Sequence, residues 1–170
     1  MTASAPNLDL ERLLGPAARR TPAMQAVWDW LQAEDAGLPD WVDLPPDAAR
    51  RLADGSMARW NADLPPVAAA EDLLVLGDPP LPCRLVTPPQ PEPGALLFLH
   101  GGGWSFGTLE TYERFARLLA LATRRPVLVP AYRLAPEHPF PTPLADCRRA
   151  WDWLAGHALA RGGPFAVAGD

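Results

Sequence analysis

Ala95-Leu96-Leu97-Phe98-Leu99-His100-Gly101-Gly102-Gly103-Trp104 changes character in its middle, and that change decides the fold. Five apolar residues in succession predict a strand buried on both faces, as parallel strands between helices are. The three glycines directly after it strip every side chain from one stretch of backbone. A reacting carbonyl can then approach the main-chain N–H groups closely, and positive φ costs little there.

Outward from this stretch the pattern repeats. Towards the C-terminus, Tyr112, Phe115, Ala116, Leu119 and Ala122 form one face of an expected helix, with Arg124-Arg125 near its end, where cations are favoured. Pro126 to Pro130 is a second short buried strand. Thr142-Pro143 starts another helix, with Leu144, Cys147, Trp151, Leu154 and Ala158 as its face and Gly162-Gly163 as its stop. Phe165–Ala168 opens a last strand. Towards the N-terminus, Asp72–Leu76 and Leu81–Thr87 are two strands joined by the turn Gly77-Asp78-Pro79-Pro80. Strands alternating with helices predict an α/β fold, a mostly parallel sheet with helices on both faces.

Residues 1–70 show no strand signal and read as a helical segment ahead of that core. Thr21-Pro22 caps a helix carrying Met24, Val27, Trp28 and Leu31, ended by Gly37 and Pro39. A second helix runs from Pro46 through Trp60, and Pro65-Pro66 breaks the chain before the core at 71–170.

Composition removes several classes of function. The chain has 170 residues, 48% apolar and 21% charged, enough for one real core and far from a disordered composition. All 15 basic residues are Arg, so a Schiff-base lysine and a P-loop lysine are both excluded. The net charge is -5 and the Arg doublets are scattered, which leaves no basic face for nucleic acid. No apolar run approaches the ~20 residues of a membrane span, and Met1 to Arg20 lacks the apolar stretch of a secretory signal. Cys83 and Cys147 form no CxxC pair, and their expected state is two free buried thiols in a cytoplasmic protein. His100, His138 and His157 show no metal-ligand spacing with either cysteine, so neither metal nor cofactor is expected.

The glycine run carries the chemistry. Ester hydrolysis needs N–H donors because negative charge develops on the carbonyl oxygen in the tetrahedral transition state. A dinucleotide fingerprint beginning at Gly101 would need a small residue where Phe106 stands. With Gly107, the run Tyr132-Arg133-Leu134-Ala135-Pro136-Glu137-His138-Pro139-Phe140-Pro141 and Gly169-Asp170, the His100–Trp104 motif resembles the hormone-sensitive-lipase-like branch of the α/β-hydrolases. The similarity covers roughly 71–170, with 1–70 resembling that family's N-terminal cap.

That resemblance implies a carboxylic-ester hydrolase acting through a serine nucleophile and an acyl-enzyme on small or medium uncharged esters. Gly102 and Gly103 would supply oxyanion donors, and His100 would hold the loop in shape. Trp104 would line the acyl pocket or simply pack. Arg133 and Glu137 would brace the loop as a polar pair. Met24, Trp28, Trp30 and Trp41 would roof the substrate pocket or belong to the core. In the family, Gly-Asp is followed by the nucleophilic Ser. The expectation is therefore an N-terminal portion lacking the triad, inactive by itself, with the strand at Phe165–Ala168 left as an apolar edge. A non-catalytic small-ligand module and an inactive gene remnant are the competing readings. The oligomeric state stays open.

Gly103-Trp104-Ser105-Phe106-Gly107 formally matches G-x-S-x-G, and Ser105, Asp146 and His157 occur in triad order. Geometry argues against that triad. Asp146 and His157 are separated by about 16 Å on one expected helix, and Ser105 lies well past the strand end that a nucleophile elbow requires.

Overall fold

The computed structural model describes residues 20–157, 159 and 161–170, which fall into two compact units, the first ending at Pro39 and the second being Asp40–Asp170. Ala158, expected on a helix face, and residues 1–19 of the expected helical segment lie outside the described residues.

In the first unit, helix α1 (Pro22–Glu34) starts where the sequence places it. The Thr21 hydroxyl accepts the Met24 N–H at 3.2 Å, and Pro22 occupies the first turn, where its missing N–H is no loss. The Arg20 guanidinium lies 4.2 Å from the centroid of the Trp28 ring.

The second unit opens with a short 3-10 turn, Trp41–Asp43, whose Val42 N–H is capped by the Asp40 carboxylate at 3.1 Å. Helix α2 (Pro46–Ala58) follows, burying Ala49 and Ala53, and a 3-10 turn at Arg59–Asn61 extends it. Strands β1 (Ala69–Val75), β2 (Leu81–Thr87), β3 (Ala95–Leu99), β4 (Val127–Pro130) and β5 (Phe165–Gly169) form one sheet in the order β1-β2-β4-β3-β5. Helix α3 (Glu113–Thr123) joins β3 to β4, and helix α4 (Thr142–Gly156) lies between β4 and β5.

The sheet is mixed. β4, β3 and β5 are parallel neighbours, as strands linked through helices should be, whereas β1 pairs with β2 and β2 with β4 in antiparallel fashion. β3 has two buried faces. Leu97 joins Cys83, Leu128, Ala150 and Leu154 under α4, while its neighbour Phe98 joins Val86, Val127, Val129, Ala116 and Ala120 under α3. Successive side chains of a strand point to opposite faces, so helices cover both sides of the sheet.

Both helix faces differ from the expected ones. On α3 the buried positions are Glu113, Ala116 and Ala120, while Phe115 is 47% exposed and Ala122 is exposed. On α4 they are Pro143, Asp146, Cys147, Ala150 and Leu154, and Leu144 points outward. A charged residue holds a core position on each helix, and a reading by apolar period cannot see such a position. Glu113 is paired with Arg84 at 3.0 Å and Arg117 at 2.6 Å; Asp146 is paired with Arg133 at 2.8 Å.

The segment after α2 is stitched to α3 by polar contacts. Arg114 donates from its side chain to the carbonyls of Trp60 and Asp63, and its backbone N–H donates to Asn61 Oδ1 at 3.3 Å. Arg117 donates to the Pro65 carbonyl at 3.1 Å. Among the described residues no helix is long and apolar enough to cross a membrane.

Candidate active site

The glycine loop leaves the C-terminal end of β3 and runs to the start of α3. His100, the first residue after the strand, is only 4% exposed. Its ring lies between those of Tyr132 and Tyr112, at centroid distances of 4.2 and 5.2 Å. Nδ1 is 2.9 Å from the Gly101 carbonyl, which assigns the ring proton to that nitrogen. The Tyr132 hydroxyl donates to the His100 carbonyl at 2.6 Å. Burial pushes the His100 pKa down, so the imidazole is held neutral.

The loop then turns tightly. The Gly102 carbonyl accepts from the N–H groups of Ser105 and Phe106 at 3.1 and 2.9 Å. Gly102 has φ +113, and a Cβ there would stand 2.3 Å from the Phe106 carbonyl oxygen. Gly107, at φ +101, closes the loop against His100, and a Cβ there would stand 2.5 Å from its Nδ1. Among the described residues the N–H groups of Gly102 and Gly103 donate to no backbone carbonyl, and both residues are exposed. Trp104 also has positive φ, +62, rare for a bulky residue. Its carbonyl accepts the Ala135 N–H at 2.9 Å.

A cavity of about 540 Å³ opens beside Gly101, Gly102 and Gly107. Trp41, Ala53, Met57 and Trp60 wall it from the side of α2; Phe106, Tyr112, Phe115 and Leu118 complete the wall from the loop and α3. Phe115 is exposed towards this space while its ring packs 4.7 Å from that of Phe98. Two charged residues border the cavity. Arg114 is tied to the carbonyls described above, and the Asp54 carboxyl is pushed up, first by burial and then by Glu110.

Several expected placements change. Trp104, expected either to line the acyl pocket or simply to pack, lies with its ring 5.3 Å from that of Tyr132, and Phe106 borders the cavity. Of the four residues expected to roof the pocket or join the core, Trp41 lines the cavity, and Met24, Trp28 and Trp30 belong to the first unit. Arg133 and Glu137 do not pair with each other. Arg133 grips the buried Asp146 carboxylate through Nε and Nη2 at 2.8 and 2.9 Å, and its backbone N–H adds a third bond at 3.0 Å. Burial alone would push Asp146 up; these bonds override it and hold the carboxyl below its ordinary value.

Glu137 instead meets a residue the sequence did not single out. Arg50 of α2 donates to both Glu137 oxygens at 3.0 and 2.7 Å, to the Ser105 carbonyl at 2.8 Å and to the Ala135 carbonyl at 2.6 Å. One guanidinium thus ties α2, the glycine loop and the segment after β4 together. Ser105 sits in the loop turn, and the nearest following helix begins only at Glu113, so no strand-to-helix elbow presents it. His157 caps α4 and stacks on Trp153 at 4.6 Å, three turns from Asp146. Among the described residues no cluster of three or more His, Cys, Asp or Glu is placed to hold a metal ion.

The chain is similar in sequence and fold to known proteins. Residues 96–170 match the family model described as alpha/beta hydrolase fold. The chain is 37% identical over 155 residues to an ethyl acetate hydrolase of Pseudomonas putida, covering 83% of this chain and 49% of that protein. A carboxylesterase of Mycobacterium tuberculosis is 39% identical over 95 residues, 53% of this chain and 30% of its own. Among solved structures, an ester-hydrolase from the metagenome of Lake Arreo superposes with a TM-score of 0.80 at 31% identity, over 89% of this chain and 51% of that one. A hyperthermophilic esterase from the archaeon Pyrobaculum calidifontis does so with a TM-score of 0.77 at 30% identity, over 88% and 49%. Sheet order, glycine loop and these likenesses together define an α/β-hydrolase fold. Within it, the chain is similar to esterases, resembling the hormone-sensitive-lipase-like branch over the part it shares with them. It spans about half the length of the ethyl acetate hydrolase and of both solved structures.

Proposed function

We propose that this chain supplies the oxyanion donors and one wall of the binding site of a cytoplasmic carboxylic-ester hydrolase that acts through a serine nucleophile on small or medium uncharged esters. One observation carries the reading: the adjacent N–H groups of Gly102 and Gly103 have no backbone acceptor, and Gly102 borders a cavity walled mostly by apolar side chains. As a nucleophile adds to an ester carbonyl, charge gathers on the oxygen, and each preorganised donor is worth about 3 kcal/mol of barrier. The left-handed backbone at both glycines holds the donors in place before the reaction, so none of that stabilisation is spent on reorganisation. His100 positions the loop and takes no proton. The apolar wall receives the carbon chain of an uncharged ester.

In this reading 1–70 acts as the helical cap and 71–170 as part of the core. Among the described residues Ser105 lacks the elbow and Ser56 lies on α2, and by the family resemblance we assign the nucleophile to a Ser following Gly-Asp, with base and acid beyond it. The polypeptide is therefore expected to bind esters without hydrolysing them. Fusing it in frame to the C-terminal half of the Pseudomonas ethyl acetate hydrolase and assaying p-nitrophenyl butyrate tests this. Turnover by the fusion and none by the 170 residues is the expected result. Turnover by the unfused chain, abolished by Ser105→Ala, would overturn the assignment, and tight binding without turnover by the fusion would mark a ligand-binding module instead.

A further inference from the structure

Two cavities meet at one pair of rings. Trp41 and Phe106 lie with centroids 5.8 Å apart and planes tilted by 37°. Both border the cavity of about 540 Å³ beside the glycine loop, and both also border a second cavity of about 330 Å³. That second space is walled by Leu44, Pro46, Ala49, Ala135 and Pro136. Arg50 also borders it, but its guanidinium is held by four hydrogen bonds to Ser105, Ala135 and Glu137. An aliphatic chain therefore suits the second cavity as it suits the first.

Local hydrogen bonds hold the backbone beneath both rings. The Asp40 carboxylate caps the short turn that carries Trp41, and the Phe106 N–H is bound to the Gly102 carbonyl at 2.9 Å, one turn from the proposed oxyanion donors. The backbone that carries each ring is thus held by local hydrogen bonds, and the contact between the rings is side chain on side chain.

We propose that the Trp41–Phe106 pair is a partition that sets the longest apolar chain the site accepts, with Phe106 the specificity-determining residue. The ester as substrate class rests on the function proposed above; the partition rests on the two cavities alone. Each methylene buried against an apolar wall strengthens binding roughly fourfold. In the native chain that increment should stop at the length that fills the first cavity. Removing the Phe106 ring joins the two spaces, and the increment should then continue for several further methylenes.

The 170-residue polypeptide tests this by displacement of the apolar fluorophore Nile red with two homologous series, methyl n-alkanoates and n-alkanols. For the native chain, affinity should rise by roughly fourfold per methylene and then level off. Phe106→Ala should move the levelling point to longer chains in both series and leave the shortest ligands within a few-fold of native. Adding Leu44→Trp to Phe106→Ala refills the second cavity and should restore the native limit; Trp41→Ala should extend it as Phe106→Ala does. A uniform weakening at every length in Phe106→Ala, or a limit that stays put in both ring variants, would overturn the partition, as would failure of both series to displace the probe from native chain. Should alkanols show the shift while esters bind no better than alkanols of matched length, the partition stands and the ester reading falls.

Discussion

At the scale of single residues, the loop depends on two atoms that leave no room for a methyl group. Gly107→Ala would set a Cβ 2.5 Å from His100 Nδ1 at φ +101, so this substitution combines backbone strain with a steric conflict. We expect about 1–3 kcal/mol of lost stability, read as a drop in the thermal midpoint. His100 adds a pH dependence whose sign follows from its burial. Its folded pKa lies below its ordinary value of 6.5, so the folded chain resists protonation more than the unfolded one. The stability associated with neutral His100 is therefore whole above pH 6.5 and lost as pH falls below it, at no more than about 1.4 kcal/mol per pH unit. Thermal melts between pH 7.5 and 5.5 check this, with His100→Gln expected to flatten the slope. Such residue-level roles were partly legible. A glycine run behind a buried strand announces a backbone site, whereas the burial that lowers the His100 pKa comes from packing with other elements, among them Tyr112 and Tyr132 stacked on its ring, which no local pattern records.

Arg50 acts at the scale of elements, joining α2 to the glycine loop and to the segment after β4. Replacing it by Ala removes one donor group and leaves the carbonyls of Ser105 and Ala135 to find water. Amides of the loop, Gly101 to Gly107, should then exchange with deuterium on the order of tenfold faster, with β3 unchanged. Glu137→Gln should have a smaller effect, because its carboxylate is half exposed and the carbonyl bonds of Arg50 survive. The elements themselves were readable where the signal was contiguous: the apolar run of β3, the Pro-bounded β4 and the Thr21 cap. Arg50 and Glu137 are 87 residues apart, and nothing in the neighbourhood of either names the other. Helix faces shifted for a related reason. Asp146 and Glu113 look like surface residues until their arginines, Arg133 and Arg84, are placed beside them.

For the whole molecule, the core clusters on the two faces of the sheet govern reactivity as well as stability. Cys83 on β2 and Cys147 on α4 are both buried and free, and burial pushes each thiol up to about 12. At pH 8 neither should react with Ellman's reagent in the folded chain, and both should react in guanidinium, so thiol release counts unfolded molecules directly. β5 is the least covered strand. It pairs with β3 along one side, and Val167 is 54% exposed. Sheet membership was legible from the strand pattern; the antiparallel set of β1, β2 and β4 was not, since the direction of a strand follows from tertiary pairing rather than from its own residues.

The pairing of β3 with β5 also sets an order of assembly. Ala95 meets Phe165 across roughly seventy intervening positions, whereas β1 and β2 are joined by a short turn. Contacts between distant parts of the chain close later than local ones, so the hairpin can form while the β3–β5 seam is still open. The glycine loop springs from the end of that same seam, where Leu99 lies opposite Gly169. A receptive site should therefore arise only in the final stage of folding, and capture of a ligand there would certify that the chain has finished.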